Sequence, residues 1–297
     1  MSDDRPVIAV IGASGSQGGS VTRALVAAGE FGVRAITRDP AAYTGPAEEV
    51  VSADLNDVDS LREAFAGAHG VFVVSNFWSP GSDEVAQGRN AVAAAKETGI
   101  RHFIWSTLPN VEAISGGEFE VAHFTNKAKV DELVRDAGFE SFTFVEAPFY
   151  FENLVNNMPP QALPDGSTGW ALPIGPDERV VHMGSIEDLG GVVAGAFAHS
   201  EEAGAGAYLS SAAALMSFGD VAETLNAQGH NVSIMQVPAE VFSTFFPGAE
   251  EMAQMMGYWQ RYTYLGPDGA ETIARARKVS TTPTTEFADW ARQHMPA

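Results

Sequence analysis

Three glycines spaced three residues apart, Gly12, Gly15 and Gly18, follow an apolar run at residues 7–11 and open a stretch with helical periodicity. Glycine there permits a sharp reversal and close approach of backbone amides to a ligand, while a helix start offers N–H groups that have no carbonyl of their own. Strand, turn and helix together predict a diphosphate cradled by Gly12, Ala13, Ser14, Gly15, Ser16, Gln17 and Gly18. The second β run ends in Thr37 and Arg38. No acid stands there to accept from an adenosine ribose hydroxyl, and a guanidinium stands where a 2′-phosphate would need a partner, which favours NADP(H) over NAD(H). The adjacent Asp39 works against that preference. Asp54, followed by Leu55, reads either as an acceptor for an adenine amino group or as a loop acid ahead of a helix cap. Ser75, Asn76 and Phe77 end the fourth run, at the sheet edge along which a ribose would pass.

A second group of residues has types suited to proton transfer. Ser106 ends the fifth run, and His123 and Lys127 follow on one helical stretch at i and i+4, hence on one face. Lys127 reads as a ribose contact, His123 as a proton donor or as a polar helix residue beside the cofactor, and Ser106 as their companion or as a satisfied strand-end hydroxyl. Tyr150 offers a phenol inside the aromatic run at 149–151, where packing is the ordinary role. Met252, Met255, Met256 and Trp259 recur at i, i+3, i+4 and i+7 and form either the core of a small lobe or the wall of an apolar groove. The histidines lack metal-ligand spacing, so no metal site is expected.

Positioning these residues requires a regular scaffold, and the first 150 residues supply one. Apolar runs at residues 7–11, 33–36, 50–51, 71–74, 103–105 and 142–145 alternate with helical stretches that end in Gly29, Gly67, Gly99 and Gly138. Repeated βα units of this length predict an α/β fold, a Rossmann-type doubly wound parallel sheet. After Asn153 the pattern turns Pro- and Gly-rich, which predicts a dinucleotide domain over 1–150 and a smaller, less regular C-terminal α/β lobe over 151–297 that covers the nicotinamide. Ser185 with Asp188 and Ser217 with Asp220 have capping-box spacing, and Pro283 suits a first helical turn.

Composition narrows the classes. The 297 residues carry 38 acids against 17 Lys and Arg, a formal net charge of −21, so direct nucleic-acid binding is not expected. Such a surface reads either as solvation or as adaptation to a high-salt cytoplasm. There is no cysteine, which excludes disulfides and thiol chemistry and assigns any redox role to a bound cofactor. The acidic opening and the lack of a long apolar run predict a cytoplasmic protein without a membrane segment, as monomer or homodimer.

The runs at residues 10–21, 36–40, 75–78, 122–127 and 148–154, with 185–190, 246–249 and 287–290 toward the end, together resemble the NmrA-like family of atypical short-chain dehydrogenase/reductases. The match looks nearest to the family's NADPH redox-sensor branch and extends over nearly the whole chain. The resemblance implies that NADP(H) is surrounded by Gly12 to Gln17, Arg38, Asp54, Ser75 to Phe77, Lys127, and Tyr150, Phe151, Glu152 and Asn153. It also implies either a sensor of cofactor state read by a protein partner, or a reductase of a small apolar acceptor such as a quinone. Conventional short-chain reductases carry Tyr four residues before the Lys; this chain has His123 there, which favours the sensor. Ala86 stands where close relatives have a Lys.

Overall fold

The computed structural model describes residues 5–295; the acidic opening at residues 1–4 lies outside them. Alternation within buried strands decides the architecture. In β1 (Val7–Ile11), Ile8 and Val10 join one core cluster while Ala9 and Ile11 join another, so both faces of the sheet are covered. The first half continues through α1 (Ser16–Ala28), β2 (Gly32–Thr37), β3 (Glu49–Ser52), α2 (Val58–Phe65), β4 (Gly70–Val73) and α3 (Glu84–Glu97). It then adds β5 (His102–Thr107), the short α4 (Val111–Ser115), α5 (Ala122–Asp136) and β6 (Ser141–Glu146). Gly29, Gly67, Gly99 and Gly138 each adopt positive φ at the ends of the βα helices, as the spacing predicted.

The second half contains β7 (Phe149–Tyr150), α6 (Asn153–Asn156), β8 (Gln161–Ala162), β9 (Thr168–Leu172), β10 (Val181–Gly184), α7 (Ile186–Ala198) and α8 (Ser200–Ala203). It ends with β11 (Ala205–Ser210), β12 (Ala214–Met216), α9 (Phe218–Ala227), β13 (Val232–Gln236), α10 (Ala239–Phe242), α11 (Ala249–Tyr262), α12 (Gly269–Val279) and α13 (Phe287–His294). The large sheet is seven-stranded, in the order β11-β6-β5-β4-β1-β2-β3, with every pairing parallel. This is the expected doubly wound sheet, with the chain reversing direction between β1 and β4.

The division expected at residue 150 is crossed in space. β11, from beyond that point, pairs with β6, and α7 packs on α1 so closely that a Cβ on Gly190 would lie 2.4 Å from the Ser20 carbonyl oxygen. Helix α7 is buried from Asp188 to Phe197, packed on one face of the sheet between α1 and the end of α12. The remaining C-terminal segments build two three-stranded sheets, β12-β10-β7 and β13-β9-β8, around a separate apolar core that includes Trp259 and Trp290.

Ser185 caps α7 at its predicted start, accepting from the Glu187 amide, but one of the two predicted capping boxes is incomplete and the Pro283 start is displaced. Ser217 and Asp220 form the capping box of α9. Ser185 does not: Asp188 turns to the Thr285 amide and hydroxyl at 2.8 and 2.7 Å, and Glu152 takes the Ile186 amide at 3.0 Å instead. Pro283 lies in the loop before α13, whose cap is Glu286. Among the described residues no helix is long and apolar enough to cross a membrane.

Candidate functional site

The crevice opens outside the carboxyl ends of β1 and β4, where the strand order reverses. Gly12 turns at φ +70°, and the Gly15 amide closes the turn on the Gly12 carbonyl at 2.8 Å. Gly18 then presses α1 onto the turn. A Cβ there would stand 2.3 Å from the Gly12 oxygen, so only glycine fits without moving backbone. Ser14, Gly15 and Ser16 are exposed, α1 has no side-chain cap and no acid in its first turn, and the Ser16, Gln17 and Gly18 amides have no backbone acceptor among the described residues. That is an open row of donors at the positive end of a helix dipole, suited to a diphosphate.

At the end of β2, Thr37 shares a hydrogen bond with Ser14 (3.1 Å), and Arg38 is exposed and forms no ion pair among the described residues. Asp39, the acid that weakened the case for a 2′-phosphate, turns away to accept from the Ala41 amide at 3.1 Å and caps a short 3-10 turn. Asp54 accepts twice from Asn56, from its amide and its side chain, both at 2.8 Å, which is the loop-acid arrangement. The carbonyl of Leu55 takes the Asn90 side chain at 2.9 Å. Asn76 accepts from the Trp78 amide at 3.1 Å, and the Phe77 ring packs on Trp78 and His123.

Ser106 donates to the Gln17 side chain at 2.7 Å, locking β5 to the glycine turn. Lys127 projects from α5 into a buried cluster: its ammonium donates to the Ser75 carbonyl (3.0 Å), the Ser75 hydroxyl (2.8 Å) and Glu84 Oε1 (2.6 Å). Burial lowers the lysine pKa, and the Glu84 charge opposes the drop. Glu84, in the first turn of α3, is fully enclosed and was not anticipated; nothing in its spacing relates it to a lysine 43 residues later. His123 places Nδ1 2.7 Å from Glu251 Oε1, another acid that sequence reasoning missed.

Both lobes enclose a cavity of about 1030 Å³. Gln17, His123 and Lys127 line it on the Rossmann-sheet side, and Phe149, Trp170, Met252, Met256 and Trp259 are among its walls. The methionine stripe is therefore core and cavity wall together, since Met255, Met256 and Trp259 are buried in the lobe core and also line the cavity. Tyr264 lines it as well, with its phenol pKa raised by burial and by Glu146.

The segment at residues 150–153, expected beside the cofactor, has two of its side chains engaged within the protein. Phe151 is fully buried against Phe287 and Trp290, and Glu152 is consumed by Ser185, Ile186 and Trp290, each at 3.0 Å. Both side chains are engaged in packing and hydrogen bonding within the second lobe. Tyr150 and Asn153 do line the cavity, but the Tyr150 hydroxyl is enclosed and unpartnered, and burial raises its pKa well above the usual phenol value.

The NmrA-like family model matches residues 4–291. An NmrA-like family domain-containing oxidoreductase of Aspergillus hancockii is 29% identical over 93% of this chain and 90% of that protein. Another oxidoreductase of that description, from Cladobotryum sp, is 34% identical over 66% of this chain, which spans 65% of its length. Among solved structures, NmrA, a negative transcriptional regulator, in complex with NADP is 24% identical with a TM-score of 0.79, covering 98% of this chain and 96% of that one. The Escherichia coli NADPH-dependent quinone oxidoreductase complexed with NADPH is 21% identical with a TM-score of 0.77, over 96% of this chain and 99% of that one. These two likenesses show the fold.

Proposed function

Because this chain belongs to the NmrA-like family, in which curated relatives carry oxidoreductase names, we propose that it binds NADP(H) on the glycine turn and reduces a small apolar acceptor held between its lobes. One observation carries the reading: an apolar cavity of about 1030 Å³ that meets the cofactor crevice at Gln17, His123 and Lys127. A bound NADPH would supply a hydride. The chain's contribution is to hold the diphosphate on the amides of residues 16–18, to pair a 2′-phosphate with Arg38, and to keep water from the acceptor with apolar walls. Orientation in a dry pocket suits acceptors such as quinones.

The sensing role, in which a partner reads the cofactor state, is the second reading. It is favoured by the absence of a phenol at position 123 and by Lys127, whose three protons are all committed within the protein. Such a sensor must bind oxidised and reduced cofactor unequally or couple binding to its partner.

Loss of NADPH absorbance with a panel of quinones and other lipophilic carbonyl compounds tests the two. Saturable turnover, with the acceptor KM raised by Met256→Asp inside the cavity, supports reduction. Tight NADPH binding without turnover across the panel supports sensing.

A further inference from the structure

Reduction of a carbonyl or quinone oxygen needs a proton as well as a hydride. His123 lines the cavity one helical turn before Lys127, on the same face of α5, and is almost enclosed, with 9% of its surface exposed. Rings of Phe77, Trp78 and Phe124 surround it at centroid distances of 5.7, 5.3 and 5.0 Å. Glu251, from the first turn of α11 in the other lobe, accepts from the His123 amide at 3.1 Å and meets Nδ1 at 2.7 Å with the same oxygen. An ionised carboxylate only accepts, so Nδ1 carries the proton of that bond and Nε2 is the nitrogen whose proton comes and goes. Nε2 has no hydrogen-bond partner among the described residues, and it lies across the ring from the nitrogen that meets Glu251.

Resting on the reductase reading, we infer that His123 is the proton donor of this site, acting through Nε2, and that Glu251 is its positioning residue. As a hydride forms the new C–H bond at the acceptor carbon, the C=O π pair moves onto oxygen and takes the Nε2 proton. His123 is left neutral and regains its proton from solvent. The triad logic is that of an acid fixing the tautomer of an imidazole, here assembled from α5 and α11. Hydrogen bonding to His123 holds the Glu251 pKa below the usual carboxylate value, so the acid stays ionised as that role requires. The charged groups around the ring are Glu251 from α11 and, along α5, Lys127, whose ammonium is occupied by Glu84; the segment after β4 contributes only the uncharged Phe77 and Trp78.

Two measurements separate this inference from the reading beneath it. In cofactor-free protein labelled with 15N-histidine, neutral His123 should show the Nδ1–H tautomer, and Glu251→Gln should weaken that preference. In turnover, His123→Phe should lower kcat by about 10²–10⁴-fold, the range for a positioned acid, with calorimetric NADPH affinity intact. His123→Tyr should restore part of that loss, and Glu251→Gln should lower kcat more than it raises acceptor KM. Wild-type turnover that His123→Phe leaves unchanged overturns the proton-donor role while sparing reduction, and an Nε2–H tautomer insensitive to Glu251→Gln overturns the pair. Absence of wild-type turnover over the whole panel overturns the reductase reading, and the proton step falls with it.

Discussion

The Lys127 ammonium lies 2.6 Å from the Glu84 carboxylate in a place where neither side chain has appreciable access to water, 10% and 0% respectively. Removing one partner strands the other charge in a low-dielectric interior. Glu84→Ala is therefore expected to lower the unfolding free energy by about 3–5 kcal/mol, whereas Glu84→Met combined with Lys127→Met recovers most of that loss. Urea unfolding of the single and double variants checks this, and a Glu84→Ala midpoint equal to wild type would show that the ion pair is not closed off as described.

Arg38 should sort cofactors by their 2′-substituent. With Asp39 turned into its own cap, the guanidinium is free to meet a phosphate dianion. Arg38→Ala should weaken NADPH by about 2 kcal/mol, the scale of a charge-assisted hydrogen bond, and leave NADH nearly unaffected. Calorimetric titration with both nucleotides measures the difference; equal losses for the two would remove Arg38 from the phosphate site.

What the amino-acid pattern disclosed and what it hid have separate physical causes. The runs at β1, β2, β4, β5 and β6 were legible because strands buried on both faces are continuously apolar, and the glycine turn because its steric demand is local. β11 was not, because its run, Ala-Gly-Ala-Tyr-Leu-Ser, lacks β-branched residues and is made a strand by pairing with β6. Glu84 and Glu251 escaped notice because their partners lie 43 and 128 residues away, and no local spacing encodes a contact formed by tertiary packing. In the aromatic segment at 149–151, Phe149 and Tyr150 line the cavity, while Phe151, on the opposite side of the chain, packs into the lobe core; no local spacing separates the two roles.

Two glycines in the same helix turn should respond oppositely to alanine. At Gly18 the added carbon meets backbone at 2.3 and 2.5 Å, so α1 must move off the turn, with an expected loss of about 1–3 kcal/mol and a weaker diphosphate site. At Gly19 it meets the end of the Arg23 side chain at 3.3 Å, which can swing aside, and the Ala13 carbonyl oxygen at 3.5 Å, an ordinary van der Waals contact. Gly19→Ala should then be neutral or gain up to about 1 kcal/mol from helix propensity. Thermal melts with and without NADPH distinguish the two, and equal destabilisation would refute the close contact assigned to Gly18.

Stability should fall as pH rises above neutrality, for a reason located behind the cavity. Burial raises Asp131 to about 7 and Glu146 to about 8, the latter pushed further by the Asp131 charge. Both acids hold protons in the folded chain at pH values where the unfolded chain has released them. The folded state thus binds more protons, and stability drops with rising pH until each folded pKa is passed. Burial acts in the other sense on His102 and His182, lowering both to about 4, so the unfolded chain binds more protons between about 4 and 6.5 and stability is lost as pH falls through that window. The two effects oppose one another below pH 6.5, and only the acids act between 6.5 and 8. Asp131→Asn with Glu146→Gln should flatten the decline in that upper interval while leaving a rise from pH 4 to 6.5. Urea denaturation across pH 4 to 9 measures both limbs, and a double variant that keeps the wild-type slope from 6.5 to 8 would exclude these carboxyls as its source.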